Sequence, residues 1–149
     1  MGRVIVKAKL WNFGDELDFK KGIIKKEQIR KIEVEEAIVD TGATMLTLPE
    51  DIVEKLGLTV IREVTVTYAN NTSAKRKVAA PVGIEILNRS VVTECVVEEK
   101  GTKVSIGQIP LEVMDLIIDP KRNFIGPRPE SPDIPLIEIY LEPYKNYLI

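Results

Sequence analysis

Most of this chain reads as short strands, and the period-two alternation of its apolar residues constrains the fold more than any other feature. Val4, Val6, Ala8 and Leu10 point one way, while Arg3, Lys7 and Lys9 fall between or opposite. Residues 12–15, Asn-Phe-Gly-Asp, form a turn candidate, and strands are expected over residues 16–24 and 29–39. A long β region follows, with residues 58–69 and 74–86 flanking the polar tip Asn70-Asn71-Thr72-Ser73, where asparagine tolerates the backbone a tight hairpin needs. Residues 91–98, 104–106 and 116–119 complete the strands, and the polar stretch from Asp119 to Asn123 suits a hairpin turn. Only two pieces read as helix. Residues 49–57 have Pro at the start, acids in the first turn and Gly at the stop, with Ile52, Val53 and Leu56 on the apolar face. Residues 110–114 form a shorter helix, with Leu111 and Met114 on one side. The class is therefore mostly β with one or two short helices.

With 149 residues, 44% of them hydrophobic and 30% charged, the chain can build the core of one globular domain. A net charge of −2 gives no electrostatic footprint for nucleic acid. The basic run at residues 20–26 is bracketed by Asp15, Glu16, Asp18 and Glu27, which suits a solvated hairpin. No apolar run is long enough to span a bilayer, and the alternating N-terminus lacks the apolar core of a signal peptide. A cytoplasmic protein without nucleic-acid or membrane partners is the expectation. Residues 1–125 are expected to form the domain. The Pro-rich linker Gly126-Pro127-Arg128-Pro129-Glu130-Ser131-Pro132 then leads to an apolar tail reaching residue 149, with Tyr140, Tyr144 and Tyr147. The tail is too short to fold alone and is expected to dock on the body or on a partner subunit.

The chain has no histidine and one cysteine, Cys95, in a strand. Ser-His and Cys-His nucleophiles and His-based zinc sites are thereby excluded, and no cofactor or metal is expected. A hydrolase of this composition is left mainly with carboxylates. The candidate is Asp40, in the run Ala37-Ile38-Val39-Asp40-Thr41-Gly42-Ala43. As an Asx-type turn at a strand end, Asp-Thr-Gly needs no function. Its context adds to it. Ile38 and Val39 place the acid at the end of an apolar strand. Gly42 permits a sharp turn, Thr41 offers a hydroxyl that can brace it, and Ala43 leaves room beside the carboxylate. Residues 45–48 then return as a strand into the Pro49 helix.

On these residues the chain resembles the retropepsin-like aspartic proteases, specifically the small cellular type of bacteria and archaea. The resemblance covers roughly residues 3–125. It rests on the Asp-Thr-Gly run leading into the Pro49 helix, on the hairpin around Tyr68-Ala69-Asn70-Asn71-Thr72, and on Val104-Ser105-Ile106-Gly107 followed by Leu111 and residues 116–120. It implies a closed β-barrel with the active site at a two-fold dimer interface, because Asp-Thr-Gly occurs once and an aspartic protease needs two carboxylates. The implied activity is peptide-bond hydrolysis by a homodimer on peptide or protein substrates. Each subunit would supply Asp40. Thr41 would hydrogen-bond across the axis, the Gly42 backbone would contact substrate, and Ile106 and Gly107 would pack behind the loop. Residues Tyr68, Ala69, Asn70, Asn71 and Thr72 would form the flap. The chain departs from the family's late apolar pair at Ser105, and from the viral enzymes at Thr44 and Gln108, where they carry an acid and an arginine, and in a flap tip without a glycine run. A non-catalytic peptide-binding or dimerisation module on the same fold is the alternative.

Overall fold

The computed structural model describes residues 3–142. Seven strands form one sheet: β1 (Val4–Asn12), β2 (Lys31–Val39), β3 (Leu46–Pro49), β4 (Thr59–Thr67), β5 (Ser73–Ile86), β6 (Arg89–Glu98) and β7 (Ser105–Ile106). Their order is β1-β2-β7-β3-β6-β5-β4, and an additional β1–β5 pairing closes six of them into a ring, with β4 outside on β5. Closure removes most of the free edges a small open sheet would expose. The fold is the closed, mostly β architecture expected of a retropepsin-like chain.

One strand, β5, makes the closure possible. Its first half pairs with β4, from Ser73 opposite Thr67 to Ala80 opposite Thr59. Its second half pairs with β1, from Val82 opposite Asn12 to Glu85 opposite Lys9. The ladder to β6 shifts register between Ala79 and Val82, where Pro81 can donate no hydrogen bond. Leu10, Leu46, Leu48, Ile84, Ile106, Leu111 and Met114 fill the ring and the helix packed against it. Each such side chain contributes about 1.5–3 kcal/mol on burial.

Among the described residues, three short helices decorate the ring: α1 (Phe13–Lys20), α2 (Glu50–Leu56) and α3 (Gln108–Met114). The Pro49 helix forms as expected and stops at Gly57, whose φ of 64° suits a residue without Cβ. The third helix starts two residues before Pro110, capped by Gly107. The strand expected over residues 16–24 is not formed. Residues 13–20 are helical because the Asn12 side chain accepts the Asp15 N–H at 3.0 Å, acids fill the first turn, and Lys20 pairs with Glu16 at 3.2 Å. Residues 12–15 are therefore a helix start and not a strand-to-strand turn. The basic run is the end of α1 and a solvated turn before a 3₁₀ turn at Lys26–Gln28, not a hairpin.

A separate two-stranded sheet joins β8 (Leu116–Asp119) and β9 (Phe124–Pro127), with Asp119 Oδ1 accepting the N–H groups of Lys121 and Arg122 across the polar turn. The first residues of the Pro-rich stretch thus lie in this edge strand. Beyond it, the described part of the tail turns and bends over residues 129–134 and continues to Glu142 outside any helix or strand. Tyr144 and Tyr147 lie outside the described residues.

Candidate active site

Asp40 follows the last residue of β2, where the strand ends and the chain must turn. Its backbone stays in the sheet: Asp40 N–H donates to the Ile106 carbonyl at 2.9 Å. Its side chain is exposed and makes the turn itself. Oδ1 accepts the Gly42 N–H at 3.0 Å, and the Asp40 carbonyl accepts the Ala43 N–H at 3.1 Å. The carboxylate and the backbone close the turn, and the Thr41 hydroxyl, which the sequence suggested as the brace, is exposed instead.

Behind the turn lies a tight strap. Gln108 N–H donates to the Ala43 carbonyl at 2.8 Å and Ile109 N–H to the Thr44 carbonyl at 2.9 Å, so the start of α3 holds the loop along its length. Gly107 is buried at that crossing, and a Cβ on it would lie 2.6 Å from the Met45 carbonyl oxygen. Only glycine lets two main chains approach so closely. Ile106 is fully buried beside it. The structure thus brings Ile106 and Gly107 against the Asp40 loop, as support and not as cleft lining.

A cleft of about 960 Å³ opens over the loop. Asp40, Gly42 and Ala43 form one side, and Tyr68, Ala69, Asn70 and Thr72 at the β4–β5 tip form another. Thr41 and Asn71 do not line it. The tip is a self-braced turn. Tyr68 N–H donates to the Thr72 carbonyl at 2.8 Å and Asn71 N–H to the Tyr68 carbonyl at 2.9 Å, while Asn70 Oδ1 accepts from Thr72 Oγ1 at 2.6 Å. Asn71 takes the left-handed conformation, with φ 64°.

The cleft also contains residues that sequence reasoning missed. Arg76 Nε donates to Glu98 Oε1 at 2.8 Å, the Tyr68 hydroxyl donates to Glu98 Oε2, and the Arg76 guanidinium lies 5.9 Å from the centre of the Tyr68 ring. The hydrogen bond to Glu98 holds the Tyr68 phenol above its ordinary value, so it remains a neutral donor. Glu99, Thr102 and Lys103 continue the wall. The signal for Arg76 and Glu98 is the β5–β6 register, which places them opposite one another once Val78 pairs with Val96. Registers of this kind are not written in either strand alone.

The arrangement presents the Asp40 carboxylate to one side of the cleft, on a loop fixed by main-chain hydrogen bonds. The family model described as aspartyl protease matches residues 28–125, which contain the loop, the tip and the strap. The chain belongs to the retropepsin-like aspartyl protease family. No curated protein matches the chain. The matched span carries the Asp40-Thr41-Gly42 turn on a six-stranded ring. Among the described residues of this aspartyl protease, no cluster of three or more His, Cys, Asp or Glu side chains could hold a metal ion. No helix there is long and apolar enough to cross a membrane.

Proposed function

We propose that the chain is an aspartic endopeptidase that works as a homodimer, with one Asp40 from each subunit forming the catalytic pair. The observation that carries the reading is the exposed Asp40 carboxylate at one side of the cleft, present once per chain and held from behind by Ile106–Gly107 and the start of α3.

In this reading two Asp40 carboxylates meet across a two-fold axis. Two like charges a few ångströms apart do not both ionise easily, so the pair shares one proton over a wide pH range. The ionised member takes a proton from a water molecule lying between them. That water attacks the scissile carbonyl while the protonated member donates to its oxygen. The resulting gem-diol collapses as the carboxyl that took the water's proton delivers it to the amide nitrogen and the C–N bond breaks, with no covalent bond to the enzyme at any stage. The titration belongs to the pair and not to either subunit. Gly42 contacts the substrate backbone, Thr41 binds across the axis, and residues 68–72 cover the bound peptide and exclude water. The exposure of Thr41 agrees with a partner lying outside its own subunit. The reading keeps the setting expected from the sequence, the cytoplasm.

The test is cleavage of a diverse peptide pool, followed by mass spectrometry from acid to neutral pH. Parent protein is expected to cleave, and Asp40→Asn to fold normally and cleave nothing. Equal cleavage by Asp40→Asn refutes the assignment. No cleavage by either form, with equal peptide binding, returns the non-catalytic binding module.

A further inference from the structure

One wall of the cleft carries a charge cluster that the proposed chemistry does not use. Arg76 on β5, Glu98 on β6 and Tyr68 at the end of β4 stand together there. The Glu98 side chain is only 12% exposed, and each of its oxygens has a donor: Oε1 accepts from Arg76 Nε at 2.8 Å and Oε2 from the Tyr68 hydroxyl. The Tyr68 proton is thereby spent. Arg76 keeps capacity in hand. Its Nε serves Glu98 and its Nη1 serves the Lys75 carbonyl at 3.2 Å, while Nη2 has no acceptor among the described residues. A guanidinium carries five N–H groups, so most of what the cluster can still form is bonds that it donates.

The guanidinium is also held still before anything binds. Glu98 fixes its edge and the Tyr68 ring lies 5.9 Å from it. Little side-chain freedom is left to lose on meeting a ligand. Val66 and Val96 line the same cleft, and Val96 is buried, so an apolar shelf adjoins the recessed cation. The other two charges on this wall, Glu99 and Lys103, are exposed and opposite in sign, and solvent screens them. An apolar shelf beside unspent cationic donors suits a short aliphatic stem that ends in an anion. An amide would bring N–H groups for which the cluster has no free acceptor, and an ammonium would meet a like charge.

We propose that Arg76, braced by Glu98 and Tyr68, is a specificity residue that receives an acidic side chain of the substrate. The inference rests on the reading of this cleft as a peptide-cleaving groove and names the side-chain class it selects. The ladder locates the contact. Ile38 on β2 pairs with Ser105 on β7, Ser105 with Thr47 on β3, and Thr47 with Val96 on β6. Three steps between strands place Glu98's strand about 14 Å along the sheet from the strand that ends at Asp40. Side chains on one face of an extended peptide recur about every 7 Å, so the acid lies about two to four residues from the scissile bond.

The experiment uses two peptide pools, identical except that Glu in one is Gln in the other. Cleavage by the parent is followed by mass spectrometry, and binding by Asp40→Asn is followed by fluorescence anisotropy at about pH 7, where substrate Glu is ionised. The Glu pool is expected to be preferred about tenfold in both assays. Arg76→Gln is expected to bring the Glu-to-Gln ratio to one or below, and Arg76→Lys to keep part of it. The double variant Arg76→Gln, Glu98→Gln removes the guanidinium without stranding Glu98, and should abolish the preference as well. The readout is a ratio, so a general loss of activity through a loosened wall does not imitate the result. Cleavage by the parent with no preference for Glu, or with a preference that survives Arg76→Gln, overturns the acidic subsite and leaves the catalytic reading standing. A binding preference that depends on Arg76, with no cleavage of either pool, supports the subsite and overturns the catalytic reading. Neither cleavage nor preference overturns both.

Discussion

Gly107→Ala adds one methyl group at the tightest crossing behind the candidate acid. The backbone there, φ −91° and ψ −172°, is extended and open to any residue, so the cost is steric and not conformational. An ideal Cβ would lie 2.6 Å from the Met45 carbonyl oxygen, 2.7 Å from the Met45 nitrogen and 2.7 Å from the Thr44 carbonyl carbon. All three are main-chain atoms and cannot rotate aside. Restoring ordinary contact means parting the two segments by about 0.7 Å. That movement takes the 2.8 Å and 2.9 Å hydrogen bonds from Gln108 and Ile109 beyond useful length. Losing both costs about 1–3 kcal/mol. Keeping them leaves the overpacking in place, which also costs about 1–3 kcal/mol. Alanine restricts the unfolded chain and returns about 0.4–1 kcal/mol. The net expectation is a loss of about 1–2 kcal/mol. Urea unfolding at one fixed protein concentration reads it as a lower midpoint with unchanged slope. Amide exchange at Gln108 and Ile109 should rise with it, which locates the loss at the strap. Parent-like stability, with those two amides still protected, would refute the reasoning: the loop would then yield freely, and glycine would not be needed to hold Asp40.

Two further outcomes follow from other parts of the molecule. Arg128 above all, with Ser131 and the Leu136 N–H beside it, holds the Asp115 carboxyl below its ordinary value of 3.8. A depressed folded-state value gives stability that is present above pH 3.8 and lost as pH falls through the folded-state value. Measured in an Asp40→Asn background, Asp115→Asn should therefore flatten the fall in stability below about pH 4, though Asp15, lowered in the same sense by Arg30, keeps part of the slope. Parallel curves for the two proteins from pH 5 to pH 2 would count against it. Separately, the Trp11 ring lies over Gly83, and a Cβ at that position would fall inside the indole. Gly83→Ala should push out the chain's single tryptophan, red-shift its fluorescence and cost about 1–3 kcal/mol by overpacking. Unshifted emission would show that the ring has room to slide.

What could be read from the sequence divides along local and non-local lines. Strands β1 to β8 were legible as apolar runs of strand length, β9 was hidden between a polar turn and a Pro-rich stretch, and α2 was legible because Pro49 and Gly57 mark its ends. The Asp40 turn was legible because acid, glycine and apolar strand are neighbours in the chain. Helix α1 was not, because its one buried residue is Asp15, a carboxylate held by Arg30 Nε and Nη2 at 2.9 Å each and by the Arg30 N–H at 3.0 Å. A helix that turns an acid inward shows no apolar stripe, and only the Asn12 cap announces it. Closure of the ring through β1 and β5 joins residues about 75 positions apart, and no local pattern encodes that pairing. Gly107 was picked out by its motif, but the reason for it, the approach of Met45, appears only in three dimensions.

The residues the sequence concealed also limit how the proposed enzyme can move. A lid formed by the β4–β5 tip could swing from its base or flex at its end. Its base is pinned: Glu98 on β6 receives both Arg76 from β5 and Tyr68 from the end of β4. Swinging the whole hairpin would part a half-buried carboxylate from both donors at once, and an ion left without partners there is costly. The tip, residues 69–72, is exposed and held only by hydrogen bonds within its own turn. Rearranging that turn exchanges exposed hydrogen bonds for bonds to water or to substrate, at small net cost. If the tip covers substrate as proposed, its motion is therefore expected to be a change at Asn70–Asn71 over a fixed base. In that reading Tyr68 and Arg76, which line the cleft, form a stationary wall and do not travel with the lid.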